Sequence, residues 1–133
     1  MKKFILTSLL LVFAFSAMAF AQANTPKNNQ FPIFKPSFIV GDIYTIFTIL
    51  DGIDIVGNEV EAFLEVKKTI TTYLEDAQNK SLKVTDKITV DMPGHIAQNS
   101  ITFLNRATLK GNMAESYKRF VDGIIEASKV APK

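Results

Sequence analysis

Apolar residues recur along much of this chain at three- and four-residue intervals, the spacing of one helix face. The pattern is strongest from Asn58 to Gln78, where Val60, Phe63, Leu64, Ile70, Tyr73, Leu74 and Ala77 share a side. Asn58 stands at the N-cap position of this helix, and Glu59 and Glu61 fall in its first turn. Carboxylates are favoured there by the positive end of the helix dipole. Lys80 and Lys83 follow the other end, where cations are favoured. We read this stretch as a central amphipathic helix with the remaining segments as its packing partners.

Two further helices follow in the C-terminal half. Asp91-Met92-Pro93-Gly94 reads as a helix start, since proline is tolerated in a first turn. Ile96, Ala97, Ile101, Phe103, Leu104 and Ala107 carry the stripe to about Lys110, and Gly111 stops it. Asn112 with Glu115 three residues on has the form of a capping box. Behind it, Met113, Ala114, Tyr117, Phe120, Val121, Ile124 and Ile125 face one way. Glu115, Lys118, Arg119, Asp122, Glu126 and Lys129 face the other, with Glu115–Arg119 and Lys118–Asp122 as opposite charges at four-residue spacing.

Two segments admit both periods. From Ser37 to Leu50, a helix places Ile39, Ile43, Ile46, Phe47, Leu50 and Ile53 on one face, opposite Gly41, Thr45, Thr48 and Asp51. The same run is rich in β-branched and aromatic residues, as strands are. As a strand, however, both of its faces would be apolar, so helix is favoured. From Ser81 to Asp91, Leu82, Val84, Ile88 and Val90 alternate with Lys83, Thr85, Lys87 and Thr89, a strand period. A lone strand has no partner unless the 37–50 segment also extends, so the two readings are coupled. The fold class that follows is all-α, a small bundle of about four amphipathic helices. The alternative is α+β with strands near 38–50 and 82–90.

The first 23 residues change the picture. Lys2 and Lys3 precede an apolar run from Phe4 to Phe15, and small residues alternate up to Ala23. This is the form of a cleaved signal peptide, of a bacterial kind, and the apolar run is shorter than the ~20 residues of a membrane span. It predicts a secreted or periplasmic protein with a signal peptide at 1–23. A flexible, proline-containing arm would follow at 24–36, then a single helical domain at 37–133. Phe31, Ile33 and Phe34 in the arm are too apolar to leave in water, so the arm should lie across the body. With cleavage after Ala23, Lys2 and Lys3 are lost from the 15 basic residues, which then balance the 13 acidic ones. No stripe of positive charge remains to follow a phosphate backbone, and nucleic-acid binding is not expected. Asp42 and Asp51 interrupt the most apolar segment of the mature chain, so no integral membrane segment is expected there.

The chemistry available is thin. There is no Cys and only one His, which excludes thiolate catalysis, Cys-containing zinc sites and multi-histidine metal sites. No phosphate-binding glycine motif and no Gly-x-Ser-x-Gly elbow occurs. His95 reads more simply as a capping or surface histidine than as a general base. Asp42, Asp51 and Asp54 lack the ligand spacing of a calcium loop and read as turn and cap residues. Asn79-Lys80-Ser81 is a glycosylation sequon, which matters only in a eukaryotic secretory pathway. Lys67 and Thr71 sit in the apolar arc of the central helix, where the stripe is weakest. Lysines so placed commonly lay their stem on the core and carry the amine to water. If a ligand pocket exists, Asp42, Lys67 and Thr71 are the residues expected to line it. No metal or other cofactor is implied. The sequence therefore favours a non-catalytic, exported interaction or structural module, with a protein partner or self-association. The alternative, motivated by 11 Phe in the chain, is a carrier of a lipid or another apolar small ligand.

Overall fold

The computed structural model describes residues 31–131. The expected signal peptide and the first part of the arm lie outside the described residues. Among those described, four helices carry most of the chain: α1 (Val40–Asp51), α2 (Val60–Asn79), α3 (Gly94–Leu104) and α4 (Ala114–Val130). Single turns of 3-10 helix at Gly57–Glu59 and Gly111–Met113 lead into α2 and α4. Four short strands, β1 (Ile33–Phe34), β2 (Ser37–Ile39), β3 (Lys87–Thr89) and β4 (Met92–Pro93), pair antiparallel as β1 with β4 and β2 with β3. The chain is thus mostly helical with a minor β component, and the all-α expectation is corrected on that point.

The two pairs form one ribbon. The register of Ile33 with Pro93 and Phe34 with Met92 continues without a slip to Ser37 with Thr89 and Ile39 with Lys87. Between them, the Val90 N–H donates to the Pro36 carbonyl at 3.1 Å, and the Lys35 ammonium meets Asp91 across the strands at 2.6 Å. Pro36 has no N–H to return a second bond, so the ladder thins there while the pairing persists. Even-numbered side chains face the core: Pro36, Phe38, Val40, Ile88, Val90 and Met92 are all buried. Odd-numbered Ile33, Lys35, Ser37, Lys87, Thr89 and Asp91 are exposed.

The coupled readings of the two ambiguous segments resolve by dividing the first of them. Residues 37–39 extend and give the 87–89 strand its partner, and the helix begins at Val40. Two backbone bonds mark the change: Val40 N–H to Asp86 C=O at 2.9 Å, and Gly41 N–H to Val84 C=O at 2.8 Å. In the helix, Thr45 and Thr48 return their hydroxyls to the carbonyls four residues back. That satisfies the hydroxyls within the helix, at a slight cost to its stability.

The central element is α1, not α2. Val40, Asp42, Ile43, Ile46, Ile49 and Leu50 of α1 are all buried. It packs chiefly against α4 and α2, while α3 packs chiefly against α2 and also touches α1. Val66 and Ile70 from α2, Ile96 and Leu104 from α3, and Phe120 and Ile124 from α4 complete the core. Phe38 of the ribbon stacks on Phe120 with ring centroids 4.4 Å apart, tying β2 to α4.

The helix ends differ from expectation. Asn58 does not cap α2: it lies within a 3-10 turn. The neighbouring Glu59 takes the structural role, accepting from Val56 N–H at 3.2 Å and from both Arg106 amines at 2.7 and 2.5 Å. These bonds join the α1–α2 connection to the end of α3, and they hold the Glu59 carboxyl down to about 2. Asn112 likewise sits in a 3-10 turn, and the capping box with Glu115 does not form. α3 stops at Leu104, short of Lys110, and Pro93 lies just before its first turn. At the other end of α2, Leu82 N–H bonds to Ala77 C=O and Ser81 N–H to Gln78 C=O. This is a Schellman closure, with Ser81 in the left-handed position at φ 54°.

Candidate functional site

Asp42, Lys67 and Thr71 do not converge. Asp42 lies in the first turn of α1 with its carboxylate buried, and both of its oxygens accept from Arg119 of α4 at 2.8 and 2.7 Å. Burial pushes this carboxyl up, but the Arg119 hydrogen bonds and charge, with Ser116 assisting, bring it below the usual carboxylate range. Lys67 of α2 is ion-paired with Asp51, the last residue of α1, and its ammonium lies 5.1 Å from the centre of the Phe47 ring. Asp51 is nine residues from Asp42, about 13 Å along a helix axis. Thr71 is one turn beyond Lys67 and returns its hydroxyl to the Lys67 carbonyl at 2.9 Å. Asp42 therefore fastens α1 to α4, and Lys67 fastens α1 to α2.

His95 is the second residue of α3, and its Nε2 lies 2.9 Å from a Glu65 oxygen of α2. Its ring packs against Phe31 at 4.8 Å. Its Nδ1 is buried without a hydrogen-bond partner. No hydroxyl is hydrogen-bonded to either ring nitrogen among the described residues. Asn79 and Ser81 of the sequon are exposed at the end of α2. Among the described residues no three His, Asp or Glu side chains cluster as metal ligands do.

A concave, mostly apolar space lies elsewhere. It is a half-open groove of about 590 Å³ between the first ribbon strand and the C-terminal half of α4. Its strand wall is Ile33 to Ser37, and its helix wall includes Gly123, Ala127 and Val130. Gly123 makes the close approach at one end. A methyl group there would stand 3.1 Å from the Phe38 ring and 3.5 Å from the Ser37 carbonyl oxygen. From that point α4 runs along the strand, and short side chains on its facing side leave the groove unfilled. The two charged residues in the lining are already compensated, Lys35 by Asp91 and Glu126 by Lys129 at 2.7 Å. Ile33 and Val130 remain 50% and 84% exposed, more than folding requires of apolar side chains at a closed surface.

Sequence reasoning recognised Ile33 and Phe34 as needing cover but did not join them to α4. The signal was present in the small residues Gly123, Ala127 and Ala131 at four-residue spacing. Such spacing marks close approach of some neighbour and does not say which.

Comparison of the chain with protein-family models, with curated proteins and with solved structures returned no match.

Proposed function

We propose that this protein is an exported, non-catalytic interaction module whose docking face is the groove between the first ribbon strand and α4. The groove itself carries the reading. It is concave and largely apolar, it has the size of a recognition site, and its few charges are paired within the protein. Ordinary single apolar residues at a surface need no explanation, but a hollow lined by several does.

The test compares the exported protein with an Ala127→Trp variant, which fills the groove from a position that is only partly buried. Both are taken from the exported fraction for native mass spectrometry. The expected result is a protein partner carried by the parent and lost at least tenfold in the variant. A partner retained equally by both would remove the groove from the interaction. An adduct of a few hundred daltons in the parent alone would transfer the reading to an apolar-ligand carrier.

A further inference from the structure

The ladder of the ribbon alternates in a way that bears on what the groove accepts. In an antiparallel pair, residues whose N–H and C=O point at the partner strand alternate with residues whose groups point away. Here the Pro32, Pro36 and Val40 positions bond across the ribbon: Gly94 N–H to Pro32 C=O, Val90 N–H to Pro36 C=O, and Val40 N–H to Asp86 C=O. By the same alternation, the N–H and C=O of Ile33, Lys35 and Ser37 point to the opposite edge. That edge is the strand wall of the groove. The Ser37 carbonyl oxygen, 3.5 Å from where a Gly123 methyl would stand, confirms the direction. Among the described residues, no backbone group bonds to this edge.

Exposed strand edges are commonly blunted by proline and lysine. This strand holds Pro32 and Pro36, yet both sit at inward-bonding positions, so the missing N–H groups are subtracted from the ribbon and not from the free edge. Lys35 is at an edge position, but its ammonium is drawn to Asp91 on the neighbouring strand. What remains is an unblunted edge at Ile33 and Lys35, with donors and acceptors repeating about every 7 Å, closed at Ser37 by Gly123 of α4.

We propose, resting on the docking reading above, that the groove takes an extended, uncharged peptide segment of a partner, added as a third strand along Ile33–Lys35, short of the Ser37 end that α4 closes at Gly123. The edge would supply main-chain hydrogen bonds, and Ala127 and Val130 the apolar surface for alternate side chains. Three features select this occupant. The compensated Lys35 and Glu126 leave no charge for the segment to neutralise. The chain's own residues 24–30, Asn-Thr-Pro-Lys-Asn-Asn-Gln, carry no aliphatic or aromatic side chain to match the groove. A second copy holds its own α4 beside the same edge, so two copies cannot bring these edges together.

The probe is a capped octapeptide of alternating valine and threonine, titrated into the exported protein and followed by amide hydrogen exchange. The comparison is between Lys35→Ala and Lys35→Pro. Both variants lose the ammonium, and only the second loses the outward N–H, while the inward ladder of the ribbon is untouched. The expected result is slowed exchange at Ile33 and Lys35 in the parent. Peptide affinity should fall about five- to tenfold in Lys35→Pro relative to Lys35→Ala, the loss of one hydrogen bond. Equal affinity in the two variants, with binding abolished by Ala127→Trp, would overturn strand addition and leave a groove that reads side chains alone. No binding of the octapeptide at millimolar concentration would overturn the inference outright, whatever partner the exported fraction supplies.

Discussion

At the scale of single residues, the most consequential side chain is Asp42. A carboxylate held in the core is tolerable because Arg119 reaches it with two hydrogen bonds from the half-exposed side. The two partners are unequal. Without Arg119 the buried carboxylate is left unpaired, whereas without the Asp42 charge the guanidinium can turn to water. Arg119→Ala should therefore lower the thermal midpoint more than Asp42→Asn, and a reversed order would contradict this account. The pH dependence has a definite sign. The Asp42 carboxyl titrates below its ordinary value of 3.8, so the folded chain binds that proton more weakly than the unfolded chain does. The stabilisation is complete above the unfolded value and is lost as pH falls through the lowered one. Denaturant titrations from pH 6 to pH 2 should show an acid loss that Asp42→Asn reduces. The periodicity of α1 left room for an acid at Asp42, but its partner lies 77 residues away, and nothing local links the two.

At the scale of elements, the ribbon-to-helix junction shows how a strand pattern and a helix pattern can share one segment. Gly41 is the residue that allows it. A methyl group there would stand 3.0 Å from the Val84 carbonyl oxygen, which is backbone and cannot swing aside. Alanine in a helix ordinarily gains up to ~1 kcal/mol over glycine. At this position Gly41→Ala should instead destabilise by about 1–3 kcal/mol, as overpacking does. Gly57→Ala, at a site with nothing within 4 Å, is the control and should be neutral or mildly stabilising. Circular-dichroism melts of the two variants decide the matter, and equal melts would show that the junction can relax. The helix reading of 40–51 was legible because both faces of a strand would have been apolar. The three-residue extension before it was not, because strands that short leave no period of their own. The failed caps at Asn58 and Asn112 have a similar cause. Each lies in a 3-10 lead-in that puts the helix start two residues later, and Glu59 is claimed by Arg106 from another element.

For the whole molecule, the described part of the N-terminal arm belongs to the packed body. Pro36 is fully buried, Phe34 packs against the core, and Phe31 covers His95. A chain beginning at Ser37 should therefore melt at a lower temperature than one beginning at Phe31, with a broader transition, because Val90 and Met92 lose the strand that covers them. Identical melting curves would mean that the ribbon adds nothing to stability. No helix among the described residues is long and apolar enough to cross a membrane. The groove exists only at this scale, since its walls come from the two ends of the described chain and neither wall is concave alone.

Period and composition were enough to establish a mostly helical, cysteine-free chain and the approximate position of every helix. These properties are written in neighbouring residues, through the 3.6-residue repeat and the cost of exposing apolar surface. They raised strands near 38–50 and 82–90 only as the alternative, and did not reach the β1–β4 half of the ribbon, the Asp42–Arg119 pair or the groove. Each of these joins residues far apart in the chain, as Lys35 is from Asp91 and Asp42 from Arg119. Two-residue strands, single ion pairs and the space left between small side chains have no local signature. They arise when packing of α1 against α4 brings the first ribbon strand alongside the last helix, and the strand edge facing α4 is left without a backbone partner.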